Sequence, residues 1–254
     1  MTKITERGMI FNEYQVRTLL DGSMTQVRRV MKVQPPKNED FFGSSFGLCR
    51  AVHPDVRMVS LNQYDRLKKH PTDWDLDGSV GVARKAGFPM VYRCPFGAVG
   101  DRLYVREPFS RLDSFNFFDP AVPHEVPDFW YWADGEPTWG DWTRPQSGAV
   151  MPREASRITL EITSVRVERL QAADESALLD NLGDMLEDCD SIAGRAFNHA
   201  EHYAIAGVPV GLSPEMHGFK AWWDKANGAG SFDSNPWVWV LEFKRIEGDD
   251  HATD

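Results

Sequence analysis

A chain of 254 residues with 42% apolar side chains is long enough to bury a proper core, as one large domain or two small ones. Its net charge of −10 excludes broad, nonspecific binding along a nucleic-acid backbone, which needs a basic surface, but allows a small basic pocket on an acidic body. Cys49, Cys94 and Cys189 are too few for a disulfide framework and fit a reduced cytoplasmic protein; no stretch approaches the roughly 20 apolar residues of a membrane span, and the N-terminus lacks a signal peptide's apolar core.

In chain order, Met9-Ile10-Phe11 reads as a short first strand. Asn12 and Gln15 form a capping-box pattern ahead of Val16, Leu19 and Leu20, which fall on one helix face. The spacing predicts a helix from about Glu13 to Asp21, stopped by Gly22. Thr25, Gln26, Arg28 and Arg29 follow as hydrogen-bonding groups with two fixed charges, and arginine's planar fork suits phosphate or carboxylate. The alternative is two surface arginines paired with some of the many acids. Val30 to Val33 reads as a strand, ended by Gln34-Pro35-Pro36-Lys37.

Residues 38–90 read as an insertion of loops and short strands, folded onto the body through Phe41, Phe42, Phe46 and Trp74. Leu103 and Val105 alternate with Arg102, Tyr104 and Arg106, a period-2 strand with one apolar side. Its end, Arg106-Glu107, either encloses a polar pocket with Arg28 and Arg29 or is an exposed edge with its own ion pair. A second insertion, about 108–150, is rich in aromatics that pack as core or stack on a base. Trp139 and Trp142, in loop-like sequence, are its pocket candidates.

From Arg157 to Arg169 the alternation of Ile158, Leu160, Ile162, Val165 and Val167 marks a long or bent strand with one wet face. A helix through Ala177, Leu178, Leu182, Met185 and Leu186 follows, then an irregular insertion over about 188–215. His199 and His202 lie near Cys189 but lack zinc-motif spacing, so no metal or cofactor is assigned. Ser213-Pro214 opens a last helix that Gly228 ends, Trp237 to Phe243 is the closing strand, and 247–254 is a charged tail. The irregular order of elements implies a mixed α+β domain over 1–246, a compact antiparallel, barrel-like sheet with helices packed on it.

Gly22-Ser23-Met24-Thr25-Gln26-Val27-Arg28-Arg29, after its helix, resembles the ASCH-domain segment of the PUA-like superfamily. The nearer likeness is to phage and prophage proteins sometimes labelled morphogenetic, whose segment reads Gly-Arg-Lys-Thr-Gln-Thr-Arg-Arg. Cys94-Pro95-Phe96-Gly97, Gly100 to Glu107, Met151 to Arg157 and Asn235 to Phe243 extend the resemblance over most of the chain. It implies a PUA-like antiparallel pseudobarrel with large insertions, in the cytoplasm of a phage-infected or lysogenic bacterium. Its implied ligand is a nucleotide, a modified base or a short RNA or single-stranded element, held by Gly22, Thr25, Arg28, Arg29, Arg106, Glu107 and Trp142.

One small bacterial ASCH enzyme is an amidohydrolase that deacetylates N4-acetylcytidine with a Lys, a Thr and a Glu. By resemblance these positions fall on Met24, Val27 and Asn181, and none keeps the needed group. A binding module with its hydrolase residues replaced is the first expectation. An amidohydrolase on modified pyrimidines using another set, such as Asp101, Glu107 or His199 with Cys94, is the second. A phage accessory or host-interaction (anti-defence) protein acting through a protein partner is the third.

Overall fold

Asn12 starts the first helix as its sequence requires. Its side chain accepts from the Gln15 N–H at 2.8 Å, and the Gln15 side chain accepts from the Asn12 N–H at 3.3 Å. The helix, α1, runs Glu13–Leu20, after a first strand β1 at Glu6–Ile10. The computed structural model describes residues 4–34 and 94–246, and between them the backbone of strands β3 (Arg57–Ser60), β4 (Asp73–Asp77) and β5 (Val91–Arg93). The expectations for Phe41, Phe42, Phe46, Cys49, the Trp74 side chain and the tail 247–254 lie outside the described residues.

Gly22, at φ +81°, turns the chain out of α1. The next strand, β2, is Gln26–Val30, so the basic segment is itself the strand and the expected strand at Val30 to Val33 lies too late. Alternation explains the shift: Val27 is fully buried, and full burial of a valine stabilises by roughly 1.5–2 kcal/mol. Past Val30 the Met31 N–H still donates to Trp237 O at 3.0 Å, and the Gln34 side chain closes the end of the ladder, accepting from Trp237 N at 2.7 Å and donating to Trp237 O at 3.1 Å.

The main sheet adds β6 (Arg102–Arg106), β10 (Thr159–Arg169) and β11 (Trp237–Arg245), in the order β1-β6-β10-β11-β2. It departs from the expected antiparallel barrel in two ways. β1 runs parallel to β6 while the other pairs are antiparallel, and β1 and β2 are edges that do not pair, so the barrel is not closed. α1 buries Val16 and Leu19 in the same core. Arg29 of β2 donates across the seam to the Ile10 carbonyl at 2.8 Å, so the sheet curls toward its inner face.

That inner face buries Met9, Phe11, Val27, Leu103, Leu160, Trp237, Trp239, Leu241 and Phe243. The outer face carries Val238 and Val240 under Leu178, Leu182, Phe219 and Trp223. The helices here are α2 (Glu175–Leu179), α3 (Ile192–Ile205) and α4 (Pro214–Asn227). α2 stops short of the expected Leu186 because Gly183 sits at φ +62°, and a Cβ there would lie 2.5 Å from the Tyr14 carbonyl oxygen. α3 occupies a region expected to be irregular; Ser191 caps it by accepting from Gly194 N at 2.8 Å. α4 begins and ends as expected, at Ser213-Pro214 and Gly228.

The aromatic insertion builds its own antiparallel sheet from β7 (Phe109–Ser114), β8 (Phe129–Tyr131) and β9 (Asp141–Trp142). Phe109, Met151 and Ala155 form a small core there, with Phe129 and Tyr131 against it. No described helix is long and apolar enough to cross a membrane.

Candidate ligand-binding site

Alternation along β2 sends Arg28 and Arg29 to opposite faces of the sheet, so the two do not share one anion. Arg28 is buried on the outer face. Its N–H donates to Asn181 Oδ1 at 2.8 Å; its guanidinium donates to Glu168 at 3.0 and 3.1 Å and to the Ala177 carbonyl at 2.6 Å. Burial pushes this guanidinium below its ordinary pKa and Glu168 opposes the shift. The expected alternative, a surface arginine paired with an acid, holds for Arg28 in the pairing alone, because its side chain is buried. Gly22 and Thr25 are exposed.

Arg106 and Glu107 do not join Arg28 and Arg29 in a pocket. Glu107 is fully buried and takes two 3.0 Å bonds from Arg157, which also binds Asp134 at 2.7 and 2.8 Å and lies 4.1 Å over the Tyr131 ring. Burial raises the Glu107 carboxyl and Arg157 opposes it. Arg106 bonds the Ala149 carbonyl, and its Nε is buried without a partner among the described residues. Trp142 packs between Trp130 and Trp139, with ring centroids at 5.6 and 5.1 Å, in the insertion sheet.

The three positions aligned with the amidohydrolase residues are packed interior. Met24 and Val27 lie in the inner core. Asn181 spends its whole amide on the fold: Oδ1 accepts from Arg28 N, and Nδ2 donates to the Ala177 and Leu178 carbonyls, both at 3.1 Å. None of the three titrates in the catalytic range. Of the alternative set, Cys94 is a core thiol that burial pushes up to about 11. Asp101 is held by the Ala98 and Thr5 N–H groups and Arg7; despite the opposing effect of burial its carboxyl stays below the usual range. His199 is exposed on α3 beside the Tyr203 ring.

Arg29 differs from these. On the inner face, half-buried, it lies 5.3 Å over the Phe11 ring and donates only to main-chain oxygens, those of Ile10 and Arg28. Among the described residues no carboxylate pairs with it. Burial pushes its pKa down to about 10, which leaves it charged at neutral pH. Its cross-strand neighbour is Trp239, and one row on Trp237 pairs with Arg169. Arg169 lies 4.5 Å over the Trp237 ring, donates to the Asn235 carbonyl at 3.1 Å, and likewise has no carboxylate among the described residues. Trp237 is 6% exposed, and its indole N–H is buried with no acceptor among the described residues. Arg169 and Trp237 are missing from the residues expected by sequence. The available signal was an arginine continuing the apolar stripe Val165, Val167, Arg169.

A concavity of about 510 Å³ lies between α1, the 132–136 turn and the 184–188 segment. Glu13, Glu136, Asp184, Glu187 and Asp188 line it with one cation, Arg17, which Asp184 already binds at 2.7 and 3.1 Å. Tyr14 bonds Asp188, and burial followed by that bond pushes Tyr14 up to about 12. This cleft repels a phosphate. Among the described residues no group of three or more His, Cys, Asp or Glu is placed to hold a metal. No family model matches the chain, and neither a curated protein nor a solved structure matches it.

Proposed function

We propose that this chain binds a nucleotide, a modified base or a short RNA element through the Gly22–Arg29 segment without hydrolysing it, as a PUA-like protein of the phage ASCH type working in the bacterial cytoplasm. The observation that carries the reading is Arg29, a half-buried guanidinium with no carboxylate among the described residues of a protein of charge −10. A half-buried cation without a counter-charge is only partly solvated, and an anionic ligand group supplies what it lacks. Loss of hydrolysis follows from Met24, Val27 and Asn181, which offer no group to activate water or carry a proton.

The test pairs hydrolysis of N4-acetylcytidine with binding of nucleotides and short RNA. No turnover is expected, and Arg29→Ala weakens binding by about 10-fold or more, as the loss of a charge-assisted hydrogen bond predicts. Turnover by the native protein, or undiminished binding by the folded variant, overturns the reading. One observation favours a protein partner as a second reading: the acidic cleft with Tyr14 and Trp132 in its walls suits a basic segment. Salt-sensitive binding of an oligolysine peptide, lost in Glu13→Gln with Glu187→Gln, supports it; no binding removes it.

A further inference from the structure

We propose that the loop joining β7 to β8 is a docking surface, in which Phe117 and Phe118 enter an apolar pocket of a protein partner whose rim carries lysine or arginine. The loop belongs to the insertion sheet, outside the Gly22–Arg29 segment, and its role is independent of nucleotide binding.

Phe118 is 93% exposed and Phe117 83%, the highest values of any large apolar side chain among the described residues. The two are adjacent, and Phe115 lies against Phe117 with ring centroids at 4.5 Å, so three aromatic rings share one loop. Single apolar residues on a surface need no explanation, but contiguous ones mark interaction sites.

The loop holds these rings out by its own hydrogen bonds. Asn116 Oδ1 accepts from Phe118 N at 3.0 Å, and the Asn116 carbonyl accepts from Asp119 N at 3.0 Å. Asp119 repeats the arrangement: its Oδ1 accepts from Ala121 N at 2.9 Å and its carbonyl from Val122 N at 3.1 Å. Pro120, Pro123 and Pro127 fix three further backbone angles, and Leu112 N closes the base of the loop on the Asp128 carbonyl at 3.1 Å. Aromatic side chains are favoured at the centre of protein interfaces, and anchors already held in one shape lose little freedom on association.

Charge selects the occupant. From Leu112 to Asp128 the chain carries Asp113, Asp119, Glu125 and Asp128 and no lysine or arginine. Asp113, Glu125 and Asp128 are exposed. A second copy docked loop to loop would set these carboxylates against their own image, between two chains of charge −10. An anionic bilayer surface repels the same acids. A pocket with a cationic rim attracts them while its apolar floor takes the rings.

In the experiment the full chain carries the photo-crosslinker p-benzoylphenylalanine at position 118 and is irradiated inside the cells that carry its gene. The crosslinked protein is identified, purified and titrated with the unmodified chain; titration, not capture, decides. The expected result is binding weakened about 100-fold or more by Phe117→Ser with Phe118→Ser, since two buried rings are lost. Asp113→Asn, Glu125→Gln and Asp128→Asn together should slow association about 10-fold and flatten its salt dependence. All five positions are exposed, so both variants should keep the wild-type Tm, which is measured alongside.

Four results overturn the proposal. Crosslinking to a second copy, with a dimer lost in the double phenylalanine variant, assigns the loop to self-association. Sedimentation with phosphatidylcholine vesicles, lost in the same variant, assigns it to a membrane. A partner that binds the double variant as tightly as the wild type, or no protein crosslinked at position 118, removes the docking role. The nucleotide reading stands or falls separately, on Arg29→Ala.

Discussion

Asn181→Asp is the sharpest test of how the amidohydrolase positions are used. The wild-type amide accepts one hydrogen bond, from Arg28 N, and donates two, to the Ala177 and Leu178 carbonyls, in a site with no solvent exposure. The substitution is nearly isosteric. It keeps the acceptor and turns both donor contacts into oxygen facing oxygen. Each stranded buried group costs roughly 1–3 kcal/mol, so a loss of about 3–4 kcal/mol at pH 7 is expected. For a chain of this size that lowers Tm by about 6–16 °C. The pH dependence has a definite sign. The introduced carboxyl is favoured in its neutral form by burial and by the carbonyls, so its folded pKa lies above its unfolded value of about 3.9. Its neutral form therefore supports the fold below that value, and the support is lost as pH rises through the folded pKa. The deficit relative to wild type should be smaller at pH 4.5 than at pH 7. Calorimetric unfolding at both pH values measures it. A variant within about 0.5 kcal/mol of wild type at pH 7 would show that the amide is not committed to the fold. The same logic applies to Met24→Lys, Val27→Thr and Asn181→Glu made together. That combination puts a charge or a hydroxyl at three buried positions, so its fold must be checked before any activity is read.

Three further outcomes follow from the packing of the same core. Arg157→Met leaves Glu107 buried and unpaired, and should cost about 3–5 kcal/mol at pH 7. Glu107 already sits above its ordinary pKa, so its contribution is fully present below that value and is lost as pH rises through the folded one. Removing Arg157 widens that window, and a deficit that grew on acidification in denaturant titrations would contradict the assignment. Gly183→Ala combines a left-handed backbone with a Cβ 2.5 Å from the Tyr14 oxygen, and should destabilise by about 2–4 kcal/mol; a neutral result in thermal unfolding would mean that α1 does not pack on this turn. In a Cys49→Ser background, a thiol reagent should label Cys189 quickly in the native protein and Cys94 only after unfolding, because Cys94 is a core thiol raised to about 11. Equal labelling rates would refute that burial.

Some of this architecture is written locally in the chain. The Asn12–Gln15 box, the Gly22 stop, the Ser213-Pro214 start and the alternations in β6, β10 and β11 depend on neighbours within about four residues, and a sequence displays such neighbours directly. α3 was not legible because much of it is solvated: His199, Glu201, His202 and Tyr203 are all exposed, so no continuous apolar stripe marks it. The apolar spacing overruns α2 because Gly183 is needed there only once Tyr14 packs against it from the other end of the chain. The parallel pairing of β1 with β6 joins segments nearly a hundred residues apart, and no local pattern encodes it. For the site, sequence and resemblance drew attention to Arg28 and Arg29 together, and tertiary structure separated them. Arg28 meets Glu168, 140 residues away, and is spent on the fold; Arg29, one residue along and on the other face, meets no carboxylate among the described residues. The sequence determined that each arginine carries a charge, but only the partners brought in by the sheet decided which of those charges is already answered.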